Sequence, residues 1–180
     1  KRIGTLGEIR FLGFVFNFLD MLAHGRAESE ILQELAPDEE ALRGLLYTWF
    51  QHSVLFEVLR VLSRQDTVVV VTTDHGAVMA KRSSTVLGNR ETSTSVRYKV
   101  GDNLVCDDKE AMHIKDPAQL MLPKANLLTH YILAKENYYF VYPTNFHKYE
   151  RQYRGSFQHG GISLEEMVLP VATLLPKPSA

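Results

Sequence analysis

Cysteine is almost absent from this chain: its 180 residues include one, Cys106. No internal disulfide can form, which excludes a small disulfide-stapled secreted fold and suits a reducing cytoplasm. A surplus of either charge is also lacking. The 20 Lys and Arg against 21 Asp and Glu leave a formal net charge of -1, so bulk electrostatics favour neither nucleic acid nor a membrane surface. The uncharged stretch 11–19 falls far short of the roughly 20 apolar residues a membrane span requires, and no membrane insertion is expected. No signal-peptide core follows Lys1-Arg2, where Gly4, Thr5, Gly7 and Glu8 stand instead. The phosphate-binding loop, the dinucleotide glycine fingerprint and the G-x-S-x-G nucleophile elbow are missing. Cys106 lies beside Asp107 and Asp108, charges that disfavour its thiolate.

What remains has an ordinary globular composition, 45% hydrophobic and 23% charged, and reads as one folding unit over residues 1–180. Residues 11–22 read as a buried element, because Phe14, Val15, Phe16, Phe18 and Leu19 are too continuous for a surface helix, with Gly25 placed as a helix C-cap. A short amphipathic stretch covers 29–35. A helix is expected over 38–64, where Leu42, Leu45, Leu46, Trp49, Phe50, Val54, Val58, Leu59 and Leu62 recur at three- and four-residue steps. Val68-Val69-Val70-Val71 then reads as a central parallel strand buried on both faces. Residues 81–108 turn polar and read as an excursion, with 94–100 as one arm of a hairpin. A helix over 123–135, a strand over 138–142 and a last strand over 168–175, kept at an edge or a strand start by Pro170, complete the pattern. Ser163 with Glu166 makes a capping box for a short helix. The order implies an α/β fold, a mostly parallel sheet flanked by helices with a small hairpin excursion.

Three clusters carry candidate chemistry. Asp20 and His24, four residues apart, share one face of a helical turn and suit either a common ion or a histidine favoured by the helix C-terminal dipole. Thr72-Thr73-Asp74-His75-Gly76 follows the valine run at a strand's carboxyl end, where α/β sheets collect ligand groups. Gly76 permits the turn that lets Asp74 and His75 face one site; the competing reading is a solvated polar turn. In His159-Gly160-Gly161, two glycines allow the backbone to press an imidazole against another element, or simply form a flexible turn. His52, His113, His130 and His147 read as structural or exposed. Lys81, Arg82, Arg90, Arg97 and Lys99 read as a solvated hairpin face, with a phosphate-receiving patch as the alternative.

Together, D-x-x-x-H, then T-D-H-G, then H-G-G resemble the alkaline phosphatase superfamily. Asn17-Phe18-Leu19-Asp20-Met21-Leu22, Thr73-Asp74-His75-Gly76 and the run from His159-Gly160-Gly161 through Ile162-Ser163-Leu164-Glu165-Glu166-Met167 resemble its PglZ-domain branch, and within it the effector domains of two-component response regulators. The resemblance implies an alkaline-phosphatase-like fold with two zinc ions, manganese being left open by ligand type. It assigns Asp20, His24 and His159 to one metal, and Asp74 and His75 to half the shell of the second. It also implies phosphodiesterase or phosphatase activity on a phosphate ester, nucleotide or oligonucleotide-like, together with a sensor kinase partner, a homodimer of the full-length protein and control of type IX secretion.

In that superfamily a further Asp and a Thr or Ser nucleophile precede these motifs. Here 19 residues precede Asp20, with Thr5 the sole hydroxyl among them, so the chain is expected to be the C-terminal portion of a PglZ domain and inactive alone. An upstream receiver domain and nucleophile-bearing half are implied by the resemblance. A phosphomutase or sulfatase-like member of the superfamily would share the same ligands. A signalling module that binds a partner around a structural zinc is the non-catalytic alternative.

Overall fold

A computed structural model describes residues 10–88, 95–144 and 146–177. Four α-helices come first: α1 (Phe18–Gly25), α2 (Glu30–Leu35), α3 (Glu39–Gln51) and α4 (Val54–Leu62). Three begin at an oxygen-bearing cap that satisfies an otherwise free backbone N–H. Ser29 accepts from Leu32 N–H at 3.3 Å, Asp38 from Ala41 N–H at 2.8 Å, and Ser53 from Phe56 N–H at 3.1 Å. The cap at Ser53 also explains why the helix expected over 38–64 is two helices. Ser53 adopts extended backbone (φ -85, ψ 155) and restarts the helix instead of continuing it. Gly25 keeps helical angles and passes straight into a 3-10 turn, Arg26–Glu28, rather than capping.

Among the described residues nine strands follow: β1 (Val69–Thr72), β2 (Val78–Met79), β3 (Arg82–Thr85), β4 (Tyr98–Asp102), β5 (Ala111–Ile114), β6 (Thr129–Ala134), β7 (Tyr138–Val141), β8 (Phe157–Gln158) and β9 (Val171–Leu174). Helix α5 (Phe146–Tyr153) lies between β7 and β8, and α6 (Leu164–Met167) between β8 and β9. Among the described residues the strands form four small sheets, β1-β9, β2-β8, β3-β7 and β4-β6-β5. Only β3-β7 is parallel. Among the described residues the architecture is mixed α/β, with one parallel pair where the helix-then-strand order led to the expectation of a mostly parallel sheet.

The core sits around β7. Tyr139 and Val141 pack with Ala80 and Val96 on one side, against Phe146, Tyr149 and Tyr153 from α5. Phe140 faces the other way, into a cluster of Val86, Leu104, Ala111, Ile132 and Ala134. This is the period of two expected of a strand covered on both faces. The valine run does not occupy that place. Among the described residues β1 pairs antiparallel with β9 alone, and Val70 remains 58% exposed. A β-branched run specifies extended backbone, whereas its burial depends on neighbours that local sequence does not contain.

Three other expectations fail as well. Residues 11–22 lie at the surface, Phe11 at 89% and Val15 at 87% exposed, and are helical only from Phe18. Much of 123–135 is strand β6, bonded on both sides by β4 and β5. The segment 81–108 is not an excursion, for it supplies β3, β4 and the core residues Val86, Val96 and Leu104. Arg90 and Thr94 lie outside the described residues, and 98–100 of the expected hairpin arm fall in β4, antiparallel to β6. The strand at 138–142 is present as β7, and Pro170 precedes β9. No helix among the described residues is long and apolar enough to cross a membrane.

Arg97 and Lys99, read from sequence as part of a solvated face, are 0% and 3% exposed. The Lys99 ammonium lies 4.8 Å from the Tyr142 ring centroid, and burial lowers its pKa from 10.5 to about 8. The folded state therefore holds this proton less tightly than the unfolded chain does. The resulting penalty is full below the folded value and disappears as pH climbs towards the unfolded one, so stability rises across that window. Urea unfolding should give a free energy that increases from about pH 7.5 to about pH 9.5, and Lys99→Met should flatten that rise.

Candidate metal centre

Three separate segments bring their chemistry-bearing side chains together. On α1 the spacing of one helical turn stacks Asp20 and His24, with Asp20 Oδ1 3.3 Å from His24 Nε2. Helix α1 lies against β8, and immediately after β8 comes His159. Its Nε2 is 3.1 Å from His24 Nε2 and 3.8 Å from Asp20 Oδ1. The turn after β1 delivers His75, whose ring stacks on that of His159 with centroids 3.8 Å apart and planes 13° from parallel. Ligand atoms of Asp20, His75 and His159 all fall within 4.8 Å of one another.

Glycines allow these approaches. Gly76 donates its N–H to the Glu166 carbonyl at 3.1 Å, and a Cβ at this position would stand 1.9 Å from the Glu165 carbonyl oxygen. Gly161 is equally confined: a Cβ there would lie 2.4 Å from Arg97 Nη2 and 2.6 Å from the Ala134 oxygen. The two glycines after His159 therefore press the backbone against another element, as the H-G-G spacing suggests.

The donor set fits a divalent cation. Two donors bound to one zinc at about 2.0–2.2 Å in a tetrahedron stand about 3.3–3.6 Å apart, and the 3.1, 3.3 and 3.8 Å separations among Asp20, His24 and His159 bracket that spacing. One carboxylate with imidazoles is a mixed oxygen and nitrogen set suited to zinc or manganese. Burial, followed by the neighbouring His75 and His24, lowers the His159 pKa, with Asp20 and Glu166 pulling the other way. That favours the neutral imidazole a metal needs. Asp74 stands apart: its side chain is 89% exposed, and its Oδ1 lies 3.8 Å from His75 Nε2.

Beside the cluster is a cavity of about 320 Å³ whose lining includes His24, His159, Ser95, Gln152, Tyr153 and Gln158. Sequence reading missed Gln152, Tyr153 and Gln158, since lone amides and a tyrosine on a polar helix carry no motif. It also missed Arg97, which pairs with buried Glu166 beneath the His159 loop. The remaining histidines have other surroundings. His130 Nε2 accepts from Leu104 N–H at 2.7 Å, His113 lies 3.3 Å from Asp108, His52 caps α3, and His147 is exposed near Glu150. Cys106 Sγ is 2.9 Å from Ser84 Oγ, and burial raises its pKa.

Replacing Gly76 with Ala forces its backbone off Glu165 and should destabilise the protein by at least about 1–3 kcal/mol in denaturant unfolding. Gly44→Ala is the control. It lies within α3 with open space around it, and should stabilise by about 0.5–1 kcal/mol.

A search of curated proteins found no match to the chain. Residues 4–174 match the family model described as the BREX system PglZ alkaline phosphatase-like domain. That superfamily is of phosphoesterase type and usually metal-dependent, in keeping with the cluster of Asp20, His75 and His159. With nearly the whole chain covered, and with a carboxylate and imidazoles gathered where its motifs meet, this protein belongs to the PglZ alkaline phosphatase-like family.

Proposed function

We propose that the chain forms the metal-binding part of a hydrolase that cleaves phosphate esters. The observation carrying this reading is the convergence of Asp20, His24, His75 and His159 from three segments remote in sequence. Asp20, His24 and His159 hold one ion, and Asp74 and His75 contribute to the shell of a second. Zinc is the metal the ligand set favours, with manganese next. Divalent ions at such a centre polarise a phosphoryl oxygen and offset charge on the attacking and leaving oxygens.

The protein's own groups account for the rest. Asp20 brings negative charge to the cluster, while His24 and His159 offer ring nitrogens towards the same point and border the neighbouring cavity. That cavity receives the organic part of the ester, where Gln152, Gln158 and Ser95 offer neutral hydrogen-bonding groups. Side chains of Asp20 and His24 are 49% and 44% exposed. Such openness supports a catalytic centre over a structural zinc, whose four protein ligands close the site.

The nucleophile, a Thr or Ser, and a further Asp belong to a part of the domain that precedes these motifs. The outer edge of β1, which among the described residues pairs only with β9, and its exposed valines suit the addition of strands from that part. The finer reading is an effector domain of a cytoplasmic response regulator of the PorX kind, paired with a sensor kinase, dimeric at full length and acting on nucleotide or oligonucleotide-like esters in type IX secretion control. Its support is the wording of the three motifs.

Elemental analysis of untagged protein should find near-stoichiometric zinc or manganese, lost in the Asp20→Ala, His159→Ala double variant. A wild type with neither metal overturns the centre. In the full-length protein, chelation or His75→Ala should lower hydrolysis of a chromogenic phosphodiester by at least about a hundredfold. Undiminished hydrolysis would rule out phosphoester chemistry at this cluster.

A further inference from the structure

Beneath the candidate ligands lies one residue that touches two of the loops presenting them. Glu166, on α6, is 4% exposed. Its Oε1 accepts from Gly161 N–H at 2.8 Å and from Arg97 Nε at 2.9 Å. Its Oε2 accepts from Ser163 N–H at 3.0 Å and from Arg97 Nη2 at 2.5 Å. Its backbone carbonyl takes the Gly76 N–H at 3.1 Å. Gly161 is two residues beyond His159, and Gly76 directly follows His75. Side chain and main chain of one residue thus hold the two loops whose imidazoles stack.

We propose that Glu166 is a positioning residue: its carboxylate, fixed by Arg97, sets where His159 stands against His75. The inference rests on the metal-centre reading above, and deepens it. Groups one layer behind the ligands fix ligand orientation, and disturbing them weakens metal binding by about 10–100-fold. No hydrogen bond joins Glu166 to either imidazole, so it positions them through Gly161 and Gly76. Shortening the side chain in Glu166→Asp keeps the charge facing Arg97 while withdrawing acceptors from Gly161 and Ser163. The backbone bond to Gly76 is untouched, so His159 should move relative to His75.

The test uses two readouts on the full-length protein. In the metal-free state, NMR reads the ring-current shifts that stacking imposes on His75 and His159 protons. In the cobalt-loaded state, the visible d–d bands report ligand geometry. Glu166→Asp should lose the ring-current shifts, alter the cobalt bands and weaken cobalt affinity by about 10–100-fold. Ile132→Val, a core change away from the site, should lower the melting temperature and leave both signatures alone. Should Glu166→Asp fail to fold, the Arg97→Met, Glu166→Met double variant is read instead, since removing both charges avoids an uncompensated one.

A folded variant with wild-type ring shifts and cobalt bands overturns the proposal. So does a wild type without stacking shifts, or failure of both variants to fold, which would make the pair a folding determinant alone. A wild type that takes up no cobalt, but whose ring shifts vanish in the variant, upholds the positioning role and defeats the metal reading.

Discussion

A guanidinium shut away from water must find acceptors for its fixed fan of N–H groups, and Arg97 draws the chain around itself to do so. Besides the Glu166 carboxylate it donates to the carbonyls of Ala134, Glu136 and Tyr138. Those three residues trace the end of β6, the turn and the start of β7, so one side chain holds the connection between two central strands. Taking such a charge out of water is costly, and a lone buried partner would be costlier still. Burial acts to raise the Glu166 carboxyl, yet hydrogen bonds from Arg97, Gly161 and Ser163 outweigh it and keep the pKa below its ordinary value. Core and candidate site therefore share one electrostatic anchor.

Much of the local structure was legible in the sequence. Ser163 was readable as a cap because it stands three residues before a carboxylate that accepts a backbone N–H the helix cannot, whereas Ser53, inside the helix expected over 38–64, gave no such sign. β7 was legible as an apolar run. What could not be read was which strand would be central. Tyr138–Val141 and Val69–Thr72 look alike as patterns, yet the first is enclosed and the second exposed. Periodicity describes a segment's own faces and carries no record of what will cover them. Strand β6 was mistaken for helix because Leu127, Leu128, Tyr131 and Ile132 suit either period.

The site divides along the same line. Asp20 with His24 was readable from one helical turn, and His75 and His159 from the glycines beside them. Arg97 was not, since an arginine among Ser, Thr and Lys gives no sign of burial until Glu166 is known to face it. The cavity residues Gln152, Tyr153 and Gln158 carry no spacing that chemistry demands. The candidate ligands carry a local signature, and the residues behind them depend on tertiary partners.

His24 and His159 stand 135 residues apart in the chain, and that separation governs when the centre can come into being. Closing a loop of this length costs entropy that only the intervening contacts repay, so such contacts form late. Asp20 and His24 share one short helix and are in register as soon as that helix forms. His159 joins them only once β8 has docked beside α1. An ion arriving early in folding would therefore meet only the Asp20 and His24 half of the candidate centre, and the full constellation is offered only by molecules whose core around β7 has already closed.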